Sequence, residues 1–192
     1  VNPFRFGMIG STDSHTGLAT ADENNFFGKH SAGMEPSPTR ARRAVGKAGD
    51  VVTLGWQQAA GGRTAVWATE NTRDAIFEAM KRKEVFATTG PRIALRFFGG
   101  YDFSDADASA GDVAGAGYTK GVPMGSDLPE KASDALTFVV WALKDPESGN
   151  LDRVQIIKGF INKWGRADEK IYDVVWSDED KRQIDEATGK LP

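Results

Sequence analysis

Cysteine is absent from the 192 residues, which excludes disulfides, thiolate metal sites and cysteine nucleophiles but leaves the compartment open. Histidine is nearly absent too. With only two, His15 and His30, the chain alone is short of ligands for a histidine-rich metal site. No run of about 18 apolar residues is present to span a membrane, and no charged-then-apolar signal segment opens the chain. Nor is there a surplus of positive charge. At a net charge of -3 and a pI near 5.5, the surface has no general attraction for nucleic acid or anionic membrane, and neither is expected as a partner. The chain does hold 40% hydrophobic residues, including 11 Phe and 5 Trp, enough to bury one good core or two small ones.

The organising stretch is Phe4 to His15. An apolar run from Arg5 to Gly10 stops at Gly10-Ser11, and Asp13 and His15 follow. It reads as a strand delivering ligands, because side chains at i and i+2 of an extended segment share a face and can point at one object. A carboxylate and a neutral imidazole suit zinc, manganese or iron, and the mouth of an α/β barrel is where such groups collect. A catalytic metal normally takes at least three protein ligands, so this pair is incomplete. A Ser-His-Asp triad from Ser11 or Ser14, Asp13 and His15 fits less well, since neighbours on one strand cannot bond in the order nucleophile, base, orienter. Val1 leads almost at once into this strand, a start expected of the middle of a longer protein.

From Thr16 to Asp50 the chain is polar and punctuated by Pro, Gly, Asn and Ser. Long loops inside compact domains are usually functional, and Phe26 and Phe27 favour one that packs. The cluster Arg40, Arg42, Arg43 and Lys47 reads as a solvated face rather than a grip on an anionic substrate. The clearest helix comes next, with Asn71 as its cap, Asp74 in the capping-box position, and an apolar stripe of Ala75, Ile76, Ala79 and Met80. Lys81, Arg82 and Lys83 complement its C-terminal dipole. Val85 to Thr89 and Arg92 to Phe98 read as strands. Residues 1–98 therefore look like the last part of an α/β domain.

Residues 99–130 shift to Gly, Ala, Asp and Ser and are assigned as a linker. Asp105 and Asp107 have the spacing that opens a calcium loop, but Ala110 and Ala116 stand where its glycine and bidentate glutamate belong, so a solvated linker is the better reading. Beyond it, Leu136 to Leu143, Arg153 to Ile161 and Lys170 to Trp176 alternate as strands, joined by turn-rich segments at Lys144 to Asn150 and Asn162 to Asp168. Residues 131–192 are thus expected to form a small antiparallel, β-sandwich-like domain that need not be complete, with Ser177 capping a last short helix. Alternation places most of Trp141, Trp164 and Trp176 in the core.

Gly10-Ser11-Thr12-Asp13-Ser14-His15 resembles the Gly-Ser-Asp-x-His motif that closes the metal site of the polymerase and histidinol phosphatase (PHP) superfamily, with Thr12 as an extra residue. Glu70 to Phe77, Phe86 to Ile93, Gly121 to Gly125, Leu143 to Pro146 and Gln155 to Gly159 resemble, in order, the C-terminal third of a PHP-like family known only as domain of unknown function three-six-zero-four. The resemblance implies the C-terminal part of a PHP-type distorted β/α barrel, followed by the small antiparallel domain. It implies a metal-dependent hydrolase, phosphoesterase-like, in which a metal-bound hydroxide attacks a phosphate, sulfate, carbamate or carboxylic ester. Asp13 and His15 would be ligands of a cluster of two or three divalent ions (Mn, Zn or Fe), with the His-x-His motif and most other ligands upstream.

The partner would then be the missing N-terminal part of the same protein or another chain, and the substrate a small anionic ester; a homo-oligomer is allowed. The compartment is unassigned, with a slight lean to the bacterial periplasm or secretion. His30 is a candidate for substrate contact or proton donation. Lys29, Arg73, Thr89 and Arg92 are candidates for gripping an anionic group. The competing readings are a non-catalytic interaction module and a sugar- or peptide-binding β-sandwich, for which exposed tryptophans would be the sign.

Overall fold

The computed structural model describes residues 6–17, 22–29, 36–109, 111–130, 135–185 and 191. The chain divides into two compact units, Val1–Leu143 and Lys144–Pro192. Among the described residues the architecture is mixed α/β, with four small antiparallel sheets and no closed barrel, so the barrel expected at residues 1–98 is not formed by them. No helix among them is long and apolar enough to cross a membrane.

In the first unit, a short helix α1 (Pro38–Ala41) leads into a hairpin of β1 (Ala44–Ala48) and β2 (Val51–Leu54), turned at Gly49 with φ +60. A single 3-10 turn, Gly55–Gln58, comes after it. Next, β3 (Arg63–Val66) pairs with β4 (Val85–Thr88), and the connection between them is helix α2 (Arg73–Lys81). The cap of α2 is Thr72, whose hydroxyl accepts from Ala75 N at 3.3 Å, one residue beyond the expected Asn71. Ala79 is fully buried on the predicted stripe, whereas Met80 is exposed. The helix ends in a Schellman turn: Glu84 N donates to Ala79 O and Lys83 N to Met80 O, with Lys83 at φ +63.

The most buried large side chain, Phe98, belongs to the next sheet. Strand β5 (Ala94–Gly100) is flanked by β6 (Gly121–Pro123) and β7 (Thr137–Leu143), and helices α3 (Asp105–Ala108) and α4 (Val113–Lys120) fill the connection from β5 to β6. Phe98, 2% exposed, meets Tyr118 of α4 edge-on at 5.2 Å between ring centroids. Burying such a ring stabilises by roughly 2–3 kcal/mol. Gly117 is required at this crossing, because a Cβ there would sit 2.6 Å from the Phe98 ring. The segment read as a linker, residues 99–130, is therefore structured here, and the division between units falls at Leu143 instead. Its small residues let aromatic rings approach the backbone. Asp107 is not a calcium ligand in this arrangement but caps α3, accepting from Ser104 N and Oγ at 2.8 Å and from Lys120 Nζ at 2.6 Å. Those three donors hold its carboxyl down to about 2, the Lys120 bond being the largest cause.

The second unit is a hairpin of β8 (Arg153–Ile161) and β9 (Ala167–Trp176) with a bulge at Val154/Gln155. Asn162 builds its turn: Asn162 N donates to Arg166 O, and its side-chain oxygen accepts from Trp164 N at 3.0 Å and Arg166 N at 3.1 Å. Gly165 takes φ +75 to close it. At the other end Asp152 accepts from Arg153 Nε and Arg182 Nη1, both at 2.6 Å. Within this unit the described residues form these two strands alone, so the sandwich expectation reduces to a hairpin. The third expected strand, β7, joins β5 of the first unit because its apolar face completes that sheet. Residues 177–185 form turns and a bridge rather than a helix. Trp164 is 72% exposed at the hairpin tip, contrary to its expected burial, while Trp141 and Trp176 are half-buried.

Candidate functional site

Residues 6–10 form no ladder, so the expected strand at Arg5 to Gly10 is absent over these positions. At Gly10 the segment instead lies against both strands of the β3–β4 pair by close backbone approach. Thr64 Oγ1 donates to Gly10 O. A Cβ on Gly10 would lie 2.9 Å from Arg63 O and from Ala87 Cβ, and one on Gly62 would lie 2.2 Å from Ser11 O. Two glycines thus interlock, and Ser11 to His15 leave from a fixed point.

Ser11 to His15 form a turn. Asp13 has φ +54, Asp13 N donates to Ser11 Oγ at 3.2 Å, and Ser14 N donates to Thr12 Oγ1 at 3.3 Å. These local bonds of Ser and Thr to backbone replace a ladder. Asp13 and His15 therefore converge through a turn, not through the shared face of a strand. A long-range bond pins the turn: His15 N donates to Lys29 O at 2.8 Å. On the side-chain side, Lys29 Nζ pairs with Asp13 Oδ2, and His15 Nε2 lies 3.5 Å from Asp13 Oδ1. Lys29 is mostly covered, while Asp13 and His15 are open to solvent. The Lys29 bond and charge hold the Asp13 carboxyl below the ordinary carboxylate range, with a smaller contribution from His15.

The donor chemistry of the pair suits a divalent metal. With bonds of about 2.1 Å, two ligands of a tetrahedral ion lie roughly 3.4 Å apart, close to the 3.5 Å between Asp13 Oδ1 and His15 Nε2. The number of ligands does not suffice. Among the described residues no group of three or more His, Cys, Asp or Glu stands together to hold an ion. His30 lies outside the described residues.

Of the other expected anion-binding residues, Lys29 alone joins the turn. Arg73 opens α2 in a separate surface groove with Ile76 and Met80. Thr89 is exposed in the Thr88–Gly90 turn, where Thr88 Oγ1 accepts from Gly90 N. Arg92 lines a shallow groove over β3 and β4 with Arg63, Thr64 and Trp67.

Sequence reasoning placed Arg40 and Arg43 on a solvated face, yet Arg40 is 8% exposed, with its guanidinium 4.4 Å over the Phe27 ring. Both arginines line the same cavity as Lys29. The only hint in the sequence was the pair Phe26-Phe27 inside a polar stretch.

No curated protein and no solved structure matches the chain. One family model, described as protein of unknown function (DUF3604), matches residues 1–191. Since that match spans nearly all of its length, the chain belongs to the DUF3604 family.

Proposed function

We propose that this chain is part of a PHP-like, metal-dependent hydrolase of small anionic esters and that Asp13 and His15 supply its last metal-ligand motif. The observation that carries the reading is the convergence of Asp13 Oδ1 and His15 Nε2 to 3.5 Å on a pinned turn. A bound manganese, zinc or iron ion supplies an activated water near neutral pH and neutralises charge developing on the ester. The remaining ligands are assigned to chain upstream or to another chain, as in the superfamily whose motif this turn resembles.

Within the chain, Lys29 stabilises the Asp13 anion and holds its carboxyl below the ordinary carboxylate range. Lys29 also sets a competition, since its ammonium occupies the carboxylate that an incoming cation needs. Once released from Asp13, that ammonium is placed to meet an anionic ester group. His15, held by its own backbone bond to Lys29 O, keeps its Nε2 edge towards Asp13.

The test is metal content by elemental mass spectrometry of the full-length gene product and its His15→Ala form, followed by assays on phosphate and sulfate esters. Two or more transition-metal equivalents, reduced in the variant, are expected; no metal in either protein overturns the reading. A second reading, a sugar- or peptide-binding module, has one observation in its favour: Trp164 stands 72% exposed at the β8–β9 tip with Lys163 Nζ 4.5 Å over its ring.

A further inference from the structure

The groove beside Trp56 has a volume of about 540 Å³, well inside the roughly 300–1,000 Å³ of small-molecule sites. Phe26, 3% exposed, and Pro38 line its apolar part, and Trp56 lines it while 54% exposed. An indole so open to water leaves a large apolar surface uncovered and a ring N–H without a protein acceptor. The polar lining is Glu23, Asn24 and Arg42, all exposed. Among the described residues, none of these three side chains, nor that of Trp56, has a hydrogen-bond, ion-pair or ring partner.

Their chemistry narrows the ligand. Glu23 offers acceptors, Arg42 and the indole offer donors, and Asn24 offers both. One carboxylate and one guanidinium leave the lining with no net charge, so neither an anion nor a cation is drawn in over a neutral molecule. The ligand that suits such a lining is uncharged, carries groups that donate and accept at once, and has an apolar face for the indole. A pyranose combines all three. Its C–H groups turn slight positive charge towards the negative face of an aromatic ring, and its hydroxyls form a polar rim.

The walls are held before any ligand arrives. Trp56 sits in the turn Gly55–Gln58, where Leu54 N donates to Gln57 Oε1 at 2.7 Å and Ala59 N to Trp56 O at 3.1 Å. A Cβ on Gly55 would lie 2.6 Å from Arg40 O, so this turn is pressed against the end of α1. On the opposite wall, Asn24 N donates to Asp22 Oδ1 at 2.9 Å and Asn25 N to Asp22 O at 3.2 Å. Ser37 N donates to Phe26 O at 3.2 Å and ties that wall to the start of α1. A site fixed in this way loses little freedom on binding.

We propose that this groove is a subsite for a neutral sugar, a pyranose ring whose C–H face lies on Trp56 and whose hydroxyls meet Glu23, Asn24 and Arg42. The inference concerns binding and does not rest on the hydrolase reading.

Ligand-observed NMR titration of the full-length gene product tests it, with methyl β-glucoside, methyl β-galactoside and methyl α-mannoside as probes. Sorbitol, which has hydroxyls but no ring face, and cyclohexanol, which has a ring but no rim of hydroxyls, are the controls. At least one glycoside saturates, and neither control does. Trp56→Ala weakens that binding about tenfold or more, as truncation of an aromatic anchor does. Glu23→Ala, at an exposed loop residue, weakens it about threefold or more through the lost hydrogen bond, and this result stands by itself where Trp56→Ala does not fold. Trp164→Ala, at the exposed tryptophan of the second unit, leaves binding unchanged. Saturation by no glycoside, equal binding of either control, no weakening by Glu23→Ala, or a loss on Trp164→Ala in place of Trp56→Ala overturns the proposal. Metal content enters none of these readouts, so the subsite and the hydrolase reading stand or fall separately.

Discussion

Two polar clusters in the first unit make a useful contrast. At the Asp13–Lys29–His15 turn the carboxylate is open to solvent and its partners come from loops. At Glu84 the carboxylate is 3% exposed and its partners come from regular elements. Tyr118 of α4 donates to Glu84 Oε1, and Arg82 at the end of α2 stands 3.5 Å from Oε2. Arg96 of β5 reaches the Tyr118 hydroxyl at 3.4 Å and stacks 3.6 Å over Trp67, whose Nε1 donates to Leu95 O. Burial and the Glu84 carboxylate push the Tyr118 phenol above its ordinary value. A buried acid has to be satisfied or it destabilises the fold, so Glu84 holds three elements in register. An acid in water carries no such obligation, so the fold does not depend on the partners of Asp13.

The sharpest way to break this contrast is at its buried member. Glu84→Ala removes the charged acceptor for Tyr118, and as loss of a hydrogen bond to a charged group it costs about 1.5–3 kcal/mol in urea denaturation. A loss near zero would mean that the cluster holds nothing together.

A smaller effect is expected at Asp107, a cap with one charged partner, Lys120. Its folded pKa is depressed to about 2 from 3.8, so its contribution is fully present above the unfolded value and is lost as pH falls from about 4 through 2. Thermal midpoints measured across that window should fall less steeply in Asp107→Asn than in the parent. Parallel curves would show that the cap is not titrating there.

The smallest effect on stability, and the largest on ligand chemistry, belongs to the exposed member. Lys29→Gln leaves the denaturation midpoint close to that of the parent, because an ion pair whose carboxylate is open to solvent contributes little. The Asp13 carboxyl, followed by NMR titration, rises towards the ordinary carboxylate range, since Lys29 is the main cause of its depression. Affinity for a divalent ion rises as the competing ammonium is removed. An unmoved Asp13 titration would show that the pair does not persist in solution.

Much of the local structure is legible along the chain because its causes are local. The stripe through Ala75, Ile76 and Ala79, with cationic residues at the far end, specifies α2 through contacts three and four residues apart, and only the cap shifts from Asn71 to Thr72. Alternation locates β5, β8 and β9, and Asn162 with Gly165 marks the tight turn between the last two. The Asp13-x-His15 pair is visible as a motif, although a turn and not a strand brings its side chains together.

Composition misleads where small residues serve packing. Residues 99–130 look like a solvated linker because they are rich in Gly and Ala, yet those positions are small because Phe98 and Phe103 press against Gly117, Gly100 and Gly121.

The sequence by itself determined the helix, most strands, the family and the pair of residues on which the hydrolase proposal stands. Only the tertiary structure decided that β7 pairs with β5 and not with the hairpin after it, that Lys29 closes on Asp13, and that Arg40 is buried on Phe27 beside Lys29. Those are contacts between residues far apart in the chain. Periodicity carries no information about them, because each depends on which surfaces remain uncovered after the local elements have formed.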